Sequence, residues 1–190
     1  PGARPEDIQT EVFLLPSAAS MEKEGSITNS GRWVQWRAAA VDPPGDARAD
    51  LWIIDRLAVE LKRLYAAGGT FPDPIVNLDW ATGDSGGPDP VVVAREINGR
   101  FLAYVEFADL DQRFASGDPV PSFGLLRDDG STACGNWLYS GSHTADGNQM
   151  ARRRPADAQQ DPLGLNPGWA WAWPANRRIL YNRAGCDTKG

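Results

Sequence analysis

Residues 50–69 carry the strongest folding instruction in the chain. Leu51, Ile54, Leu57, Ala58, Leu61, Leu64 and Tyr65 recur at helical spacing, with Asp55, Arg56, Glu60 and Arg63 on the opposite side. Asp50 stands where an N-cap belongs, and Gly68-Gly69 where a helix stops, because glycine takes left-handed backbone conformations at little cost. Around this helix, 20 glycines and 15 prolines in 190 residues interrupt regular structure. Eight tryptophans are nonetheless too many for a disordered segment. The expectation is a loop-rich α/β chain with one well-specified helix and short strands.

Elsewhere the signals are local and short. Glu11-Val-Phe-Leu-Leu-Pro16 is an apolar run closed by proline and reads as a buried strand, the last of a parallel sheet whose other strands lie elsewhere. Glu24 to Gly31 is rich in glycine and small polar residues. It reads as a loop whose backbone N–H groups can meet a ligand, or as an ordinary strand-to-helix connection. Residues 41–49 are extended and rich in proline and glycine. Val91 to Ile97 fits a helix or a strand, and Asn98-Gly99 suggests a hairpin turn into a strand over Phe101 to Val105. Asp128-Asp129-Gly130 is a turn, Asn136 to Tyr139 a candidate strand, and residues 145–168 a polar loop. In Gly168 to Pro174 the alternation puts Trp169, Trp171 and Trp173 on one face of an extended segment.

Several chemistries are disfavoured on residue grounds. A net charge of −6 argues against nucleic-acid binding, and Arg152-Arg153-Arg154 is too short a basic run to reverse that. Cys134 and Cys186 fit no metal spacing and no disulfide framework, although a single bridge between them stays open. His143 is the one histidine, in an expected surface loop, so zinc and non-haem iron sites lack ligands. Gly83 to Pro88 matches the nucleophile loop of trypsin-like proteases only as a bare string, without partner motif or disulfides. No apolar run approaches the ~20 residues that span a bilayer, so direct membrane insertion is not expected.

An ordered series remains: Leu15-Pro16, Glu22, Glu24-Gly25-Ser26, Thr28-Asn29, Arg32, Gln35, Pro43-Pro44-Gly45, Ala47-Arg48 and Asp50-Leu51-Trp52. This order resembles the molybdopterin (bis-guanine-dinucleotide) oxidoreductases. Leu126 to Trp137, Gly147 to Arg153 and Gly168 to Arg183 resemble, more narrowly, the large subunits of respiratory-type formate dehydrogenases. The chain is too short to be such a subunit and reads as one interior piece. The resemblance implies that residues 1–69 end a Rossmann-like domain binding molybdopterin guanine dinucleotide. Residues 70–190 would then be an irregular, Trp-rich region with short strands leading toward a C-terminal barrel. It also implies that the parent oxidises formate to carbon dioxide at a molybdenum or tungsten bis-pterin centre. Electrons would pass to iron–sulfur clusters, the partners being the rest of the catalytic subunit and an iron–sulfur beta subunit, on the periplasmic side.

The site residues carried by this resemblance are Asp50, Asn29, Ser30 and Arg32. Asp50 would read a guanine, since one carboxylate accepts from both N1–H and the 2-amino group. Its competing role is the plain helix cap. Asn29, Ser30 and Arg32 would line the same cleft, while Trp33 and Trp36 would pack. The family's Cys or selenocysteine metal ligand followed by His, its second-shell arginine and its four-cysteine iron–sulfur motif have no match here. No catalytic residue is therefore expected, nor activity from this piece alone. Two other readings stay open: an interaction module docking on an iron–sulfur partner through the Trp-rich tail, and another member of the superfamily such as a nitrate or polysulfide reductase. The segment Trp169 to Arg183 speaks against the latter.

Overall fold

Alternation of Val34 and Trp36 inward with Gln35 and Arg37 outward makes a strand, and it recruits the glycine-rich stretch before it as a partner. The structure, a computed structural model, describes residues 2, 4–78, 87–152 and 169–172. In it β1 (Gly25–Thr28) pairs antiparallel with β2 (Val34–Arg37), Gly25 opposite Arg37 and Thr28 opposite Val34. The expected loop over Glu24 to Gly31 is thus corrected to a strand and its turn. Arg32 closes that turn at φ +66°, its N–H donating to the Asn29 carbonyl at 2.9 Å.

Residues 169–172 lie along this hairpin. Val34 N–H donates to the Ala170 carbonyl at 2.9 Å, and Ala172 N–H to the Arg32 carbonyl at 2.8 Å. The alternating stretch is therefore extended as expected. Trp169 stacks on Trp33 with ring centroids 4.3 Å apart, and Trp171 bridges to Trp33. Trp173, Arg153, Arg154, Cys186 and residues 79–86 lie outside the described residues. Val34, Trp36, Ala94, Met150 and Ala170 form the first core, in which Trp36 packs as expected.

The ambiguous Val91 to Ile97 is helical. Labelling the helices in chain order, α1 is Asp50–Tyr65, α2 Asp73–Val76 and α3 Pro90–Asn98. Asp89 caps α3, its carboxylate accepting from Val91 N–H at 2.7 Å, and Pro90 sits where a missing N–H costs nothing. Val93 and Ala94 face inward. Asn98-Gly99 ends this helix and makes no hairpin turn. The expected strand over Phe101 to Val105 divides: β3 (Arg100–Phe101) pairs with β6 (Thr132–Ala133), and β4 (Val105–Phe107) pairs with β5 (Gln112–Phe114). Phe101, Val105, Val120 and Leu125 form the second core, Phe101 stacked on Phe114 at 4.4 Å. Residues 137–139 form a 3₁₀ turn, not a strand, because the Asn136 side chain caps it through Leu138 N–H at 3.1 Å. His143 belongs to a short hairpin of β7 (His143–Thr144) and β8 (Gly147–Asn148) and is buried, which corrects the surface-loop expectation.

Gly99 shows why that helix end needs glycine. Its φ is +92°, and an added Cβ would stand 2.5 Å from both the Ala133 carbonyl oxygen and the Cys134 Cβ. Gly99→Ala is therefore expected to cost on the order of 3 kcal/mol, from backbone strain plus overlap with a neighbouring strand. A lowered denaturant midpoint would show it, and an unchanged midpoint would contradict the placement.

Helix α1 spans the residues its periodicity indicated. Its cap is Ala49, in extended conformation, and Asp50 is the first helical residue with no capping hydrogen bond, a correction to the expected N-cap. Among the helix residues only Asp55 is buried, and Ile54, Leu57, Leu61 and Leu64 are exposed. Val12, Phe13, Leu14 and Leu15 are exposed too, and residues 11–16 form no strand. A strand needs a row of backbone partners, and among the described residues this run has one backbone bond, from Arg48 N–H to the Pro16 carbonyl at its end. No helix among the described residues is long and apolar enough to cross a membrane.

Candidate functional site

The start of α1 is set by a contact that is distant in sequence. The Pro44 to Ala47 turn, with Gly45 at φ +55°, brings Arg48 alongside Ser17 in a parallel bridge. Ala18 N–H donates to the Arg48 carbonyl at 2.8 Å, and Arg48 N–H to the Pro16 carbonyl at 3.1 Å. Ser17 thereby lies beside the first turn of α1. Residues 19–22 turn back, the Glu22 carboxylate accepting from Ala19 N–H at 2.7 Å, and this delivers Lys23 to the same place.

The two groups converge on one carboxylate. Ser17 Oγ donates to Asp50 Oδ1, and Lys23 Nζ donates to Asp50 Oδ2. The Lys23 contact, then the Ser17 contact, hold the Asp50 carboxyl below the ordinary carboxylate range, against a smaller opposing effect of burial. The side chain of Asp50 is 57% exposed and that of Lys23 27%. Both border a cleft of about 400 Å³ between the open end of the β1–β2 hairpin, the start of α1 and α3. Ile27, Trp36, Leu51, Ile54 and Val93 give it apolar walls, and Ser26 and Arg37 add polar groups. The Trp36 indole N–H is turned to Glu24 Oε1 at 2.9 Å, so the ring edge is satisfied and its face is left for packing.

Of the four candidate site residues, Asp50 is the one that borders this cleft. Asn29, Ser30 and Arg32 sit in the turn that closes the hairpin, at its other end. Ser17 and Lys23 were not singled out. Lys23 stands in Glu22-Lys23-Glu24, which by itself reads as a solvated charged loop. The cleft presents a carboxylate, an ammonium and apolar walls, which suits a flat polar ligand. Among the described residues no group of three His, Cys, Asp or Glu side chains is placed to hold a metal ion. Burial, and then Arg95, push the His143 imidazole below its ordinary pKa, which favours its neutral form.

A family model for molybdopterin oxidoreductases matches residues 13–60, which include the hairpin and the α1 side of the cleft but not α3. Among known proteins, the chain is 49% identical over its whole length to formate dehydrogenase 2 subunit alpha (cytochrome c-553) of Nitratidesulfovibrio vulgaris. It is 48% identical over 96% of its length to the formate dehydrogenase-O major subunit of Escherichia coli. The chain spans 18% of the length of each of these relatives. Against a nitrate reductase of Klebsiella oxytoca the identity is also 48%, but over 25% of the chain.

Proposed function

We propose, from the premise that this chain belongs to the molybdopterin oxidoreductase family, that it is a segment of a formate dehydrogenase catalytic subunit whose role is to bind cofactor and pack domains. One observation carries the choice of enzyme. Similarity to formate dehydrogenases runs through the whole chain, whereas similarity to the nitrate reductase stops after a quarter of it. In this reading residues 1–69 end a Rossmann-like domain, consistent with the parallel bridge at Ser17, and residues 70–190 connect onward.

The residues fit a guanine-terminated pterin cofactor at Asp50. Each carboxylate oxygen accepts one hydrogen bond from the protein and keeps further lone-pair capacity, and the side chain is open to the cleft. N1–H and the 2-amino group of guanine would occupy that capacity, with the base against the apolar walls. Asn29, Ser30 and Arg32 would meet the cofactor beyond the base. When bound, such a cofactor would supply the molybdenum or tungsten centre for two-electron oxidation of formate, with iron–sulfur clusters as onward carriers in the parent enzyme. This chain's part is to hold the nucleotide end and exclude water from it.

Asp50→Asn in the full-length subunit is the test. Asparagine replaces one acceptor with a donor that opposes a guanine N–H. Cofactor retention is expected to fall by roughly 10- to 100-fold, the worth of a bidentate base contact. GMP released by acid hydrolysis of the purified subunit measures it, and wild-type GMP content in the variant would remove Asp50 from the site.

A further inference from the structure

We propose that Lys23 discriminates guanine from adenine in this cleft by donating a hydrogen bond to guanine O6. The proposal rests on the reading of Asp50 as the guanine contact and adds a residue that neither the motif nor the family match assigns. Its ground is the order of groups around one carboxylate. Ser17 holds Oδ1 and Lys23 holds Oδ2, so the line from Lys23 across the carboxylate reads donor, acceptor, acceptor. The hydrogen-bonding edge of guanine reads acceptor, donor, donor: O6, N1–H and the 2-amino group. The two sequences are complementary term by term. Adenine opposes the same line with a 6-amino donor facing the ammonium and a bare N1 facing the carboxylate, so two contacts turn repulsive.

The ammonium has capacity for this role. It carries three N–H donors and spends one on Asp50. With its side chain 27% exposed, Lys23 is more buried than the carboxylate beside it, and both line the same cleft. Ser17 bonds the other carboxylate oxygen, so the carboxylate is held at both ends. Aspartate alone rewards the 2-amino group and N1–H. The lysine adds recognition at position 6 of the base, one of the two positions, with N1, where guanine and hypoxanthine agree and adenine differs.

Three nucleotides separate these contacts. The full-length subunit, prepared without cofactor, is titrated with GMP, IMP and AMP as wild type, Lys23→Met, Lys23→Arg and Asp50→Asn. Lys23→Met is expected to weaken GMP and IMP together by about tenfold, the scale of one charged hydrogen bond, with AMP little changed. Lys23→Arg should keep most of the preference, because a donor remains. Asp50→Asn should instead erase the advantage of GMP over IMP. If Lys23→Met weakens all three nucleotides by one common factor while Asp50→Asn erases the GMP advantage, lysine merely packs. The inference then fails with the guanine reading intact. If Asp50→Asn leaves the GMP-to-IMP ratio unchanged, the guanine reading itself fails. Should the cofactor-free subunit bind no free nucleotide, GMP released per cofactor-loaded subunit decides. A lowered content in Lys23→Met, restored in Lys23→Arg, supports the assignment, and equal content in all three overturns it.

Discussion

Asn98→Ala is expected to lower the hydrogen-exchange protection of the Gly141 and His143 amides by a hundredfold or more, the equivalent of about 3 kcal/mol. Asn98 is fully buried, with 0% exposure. Its Nδ2 donates to the Gly99 and Val120 carbonyls, each at 3.0 Å. Its Oδ1 accepts from Gly141 N–H at 2.7 Å and from His143 N–H at 3.0 Å. Its own carbonyl accepts from Ser140 Oγ at 2.7 Å. One side chain thus ties the end of α3 to Val120, beside the Arg100–Pro119 bridge, and to the loop that enters β7. Alanine strips partners from two N–H groups and the Val120 carbonyl at once, while the Gly99 carbonyl keeps the Val120 N–H. Each unpartnered buried group costs about 1–3 kcal/mol, and partial relaxation keeps the total on the order of 3–5 kcal/mol. Asn98→Asp should also fail, since it keeps the acceptor but turns a carboxylate oxygen toward two carbonyls. Native protection in either variant would mean that the amide does not organise this region.

The elements that sequence reading recovered are those whose cause is local. The 3.6-residue period of α1 is complete within its own 16 residues. The Trp169 to Trp171 alternation likewise needs no distant information. The ambiguity of Val91 to Ile97 had a local answer in Asp89-Pro90, a cap followed by a proline at the first helical position, which outweighs the β-branched run that follows. Asn98-Gly99 shows the limit. The same dipeptide serves a hairpin turn and a helix stop, and the choice is made by Gly141 and His143, more than 40 residues away. The run over 11–15 shows it differently: its composition asks for a sheet that the described residues do not contain. In the candidate site Asp50 was legible because it opens a helix after a recognisable motif. Ser17 and Lys23 were not, because the Ser17–Arg48 bridge that gathers them joins segments about 30 residues apart. His143 looked exposed from its Gly-Ser-His-Thr setting, yet Ser142 and His143 are both buried.

Leu14→Asp separates a segment of a larger subunit from a self-sufficient unit, because its effect should depend on whether the rest of the protein is present. In this chain Leu14 is 87% exposed, so a charge there should change stability by no more than about 0.5 kcal/mol. In the full-length subunit the same change is expected to cost on the order of 3–5 kcal/mol or more, because a carboxylate is forced into a place built for an apolar side chain. The argument turns on the pattern of exposure. Val12 and Leu14 would face one side of a strand and Phe13 and Leu15 the other, and all four are exposed. A strand wet on one face would alternate apolar with polar residues. Four apolar residues in a row belong to a strand covered on both faces, as in the middle of a parallel sheet flanked by helices. The uncovered Ile54, Leu57, Leu61 and Leu64 of α1 supply a second surface of the same kind, and the chain spans 18% of the length of its relatives, so the cover has a source. Soluble yield and melting temperature of full-length Leu14→Asp, set against Thr10→Asp as a polar-site control, provide the reading. Loss of the Leu14 variant with survival of the Thr10 variant is the expected pair. Equal tolerance of both would mean that residues 11–15 meet no larger sheet, and the assignment of this chain to the interior of a cofactor-binding domain would fail with it.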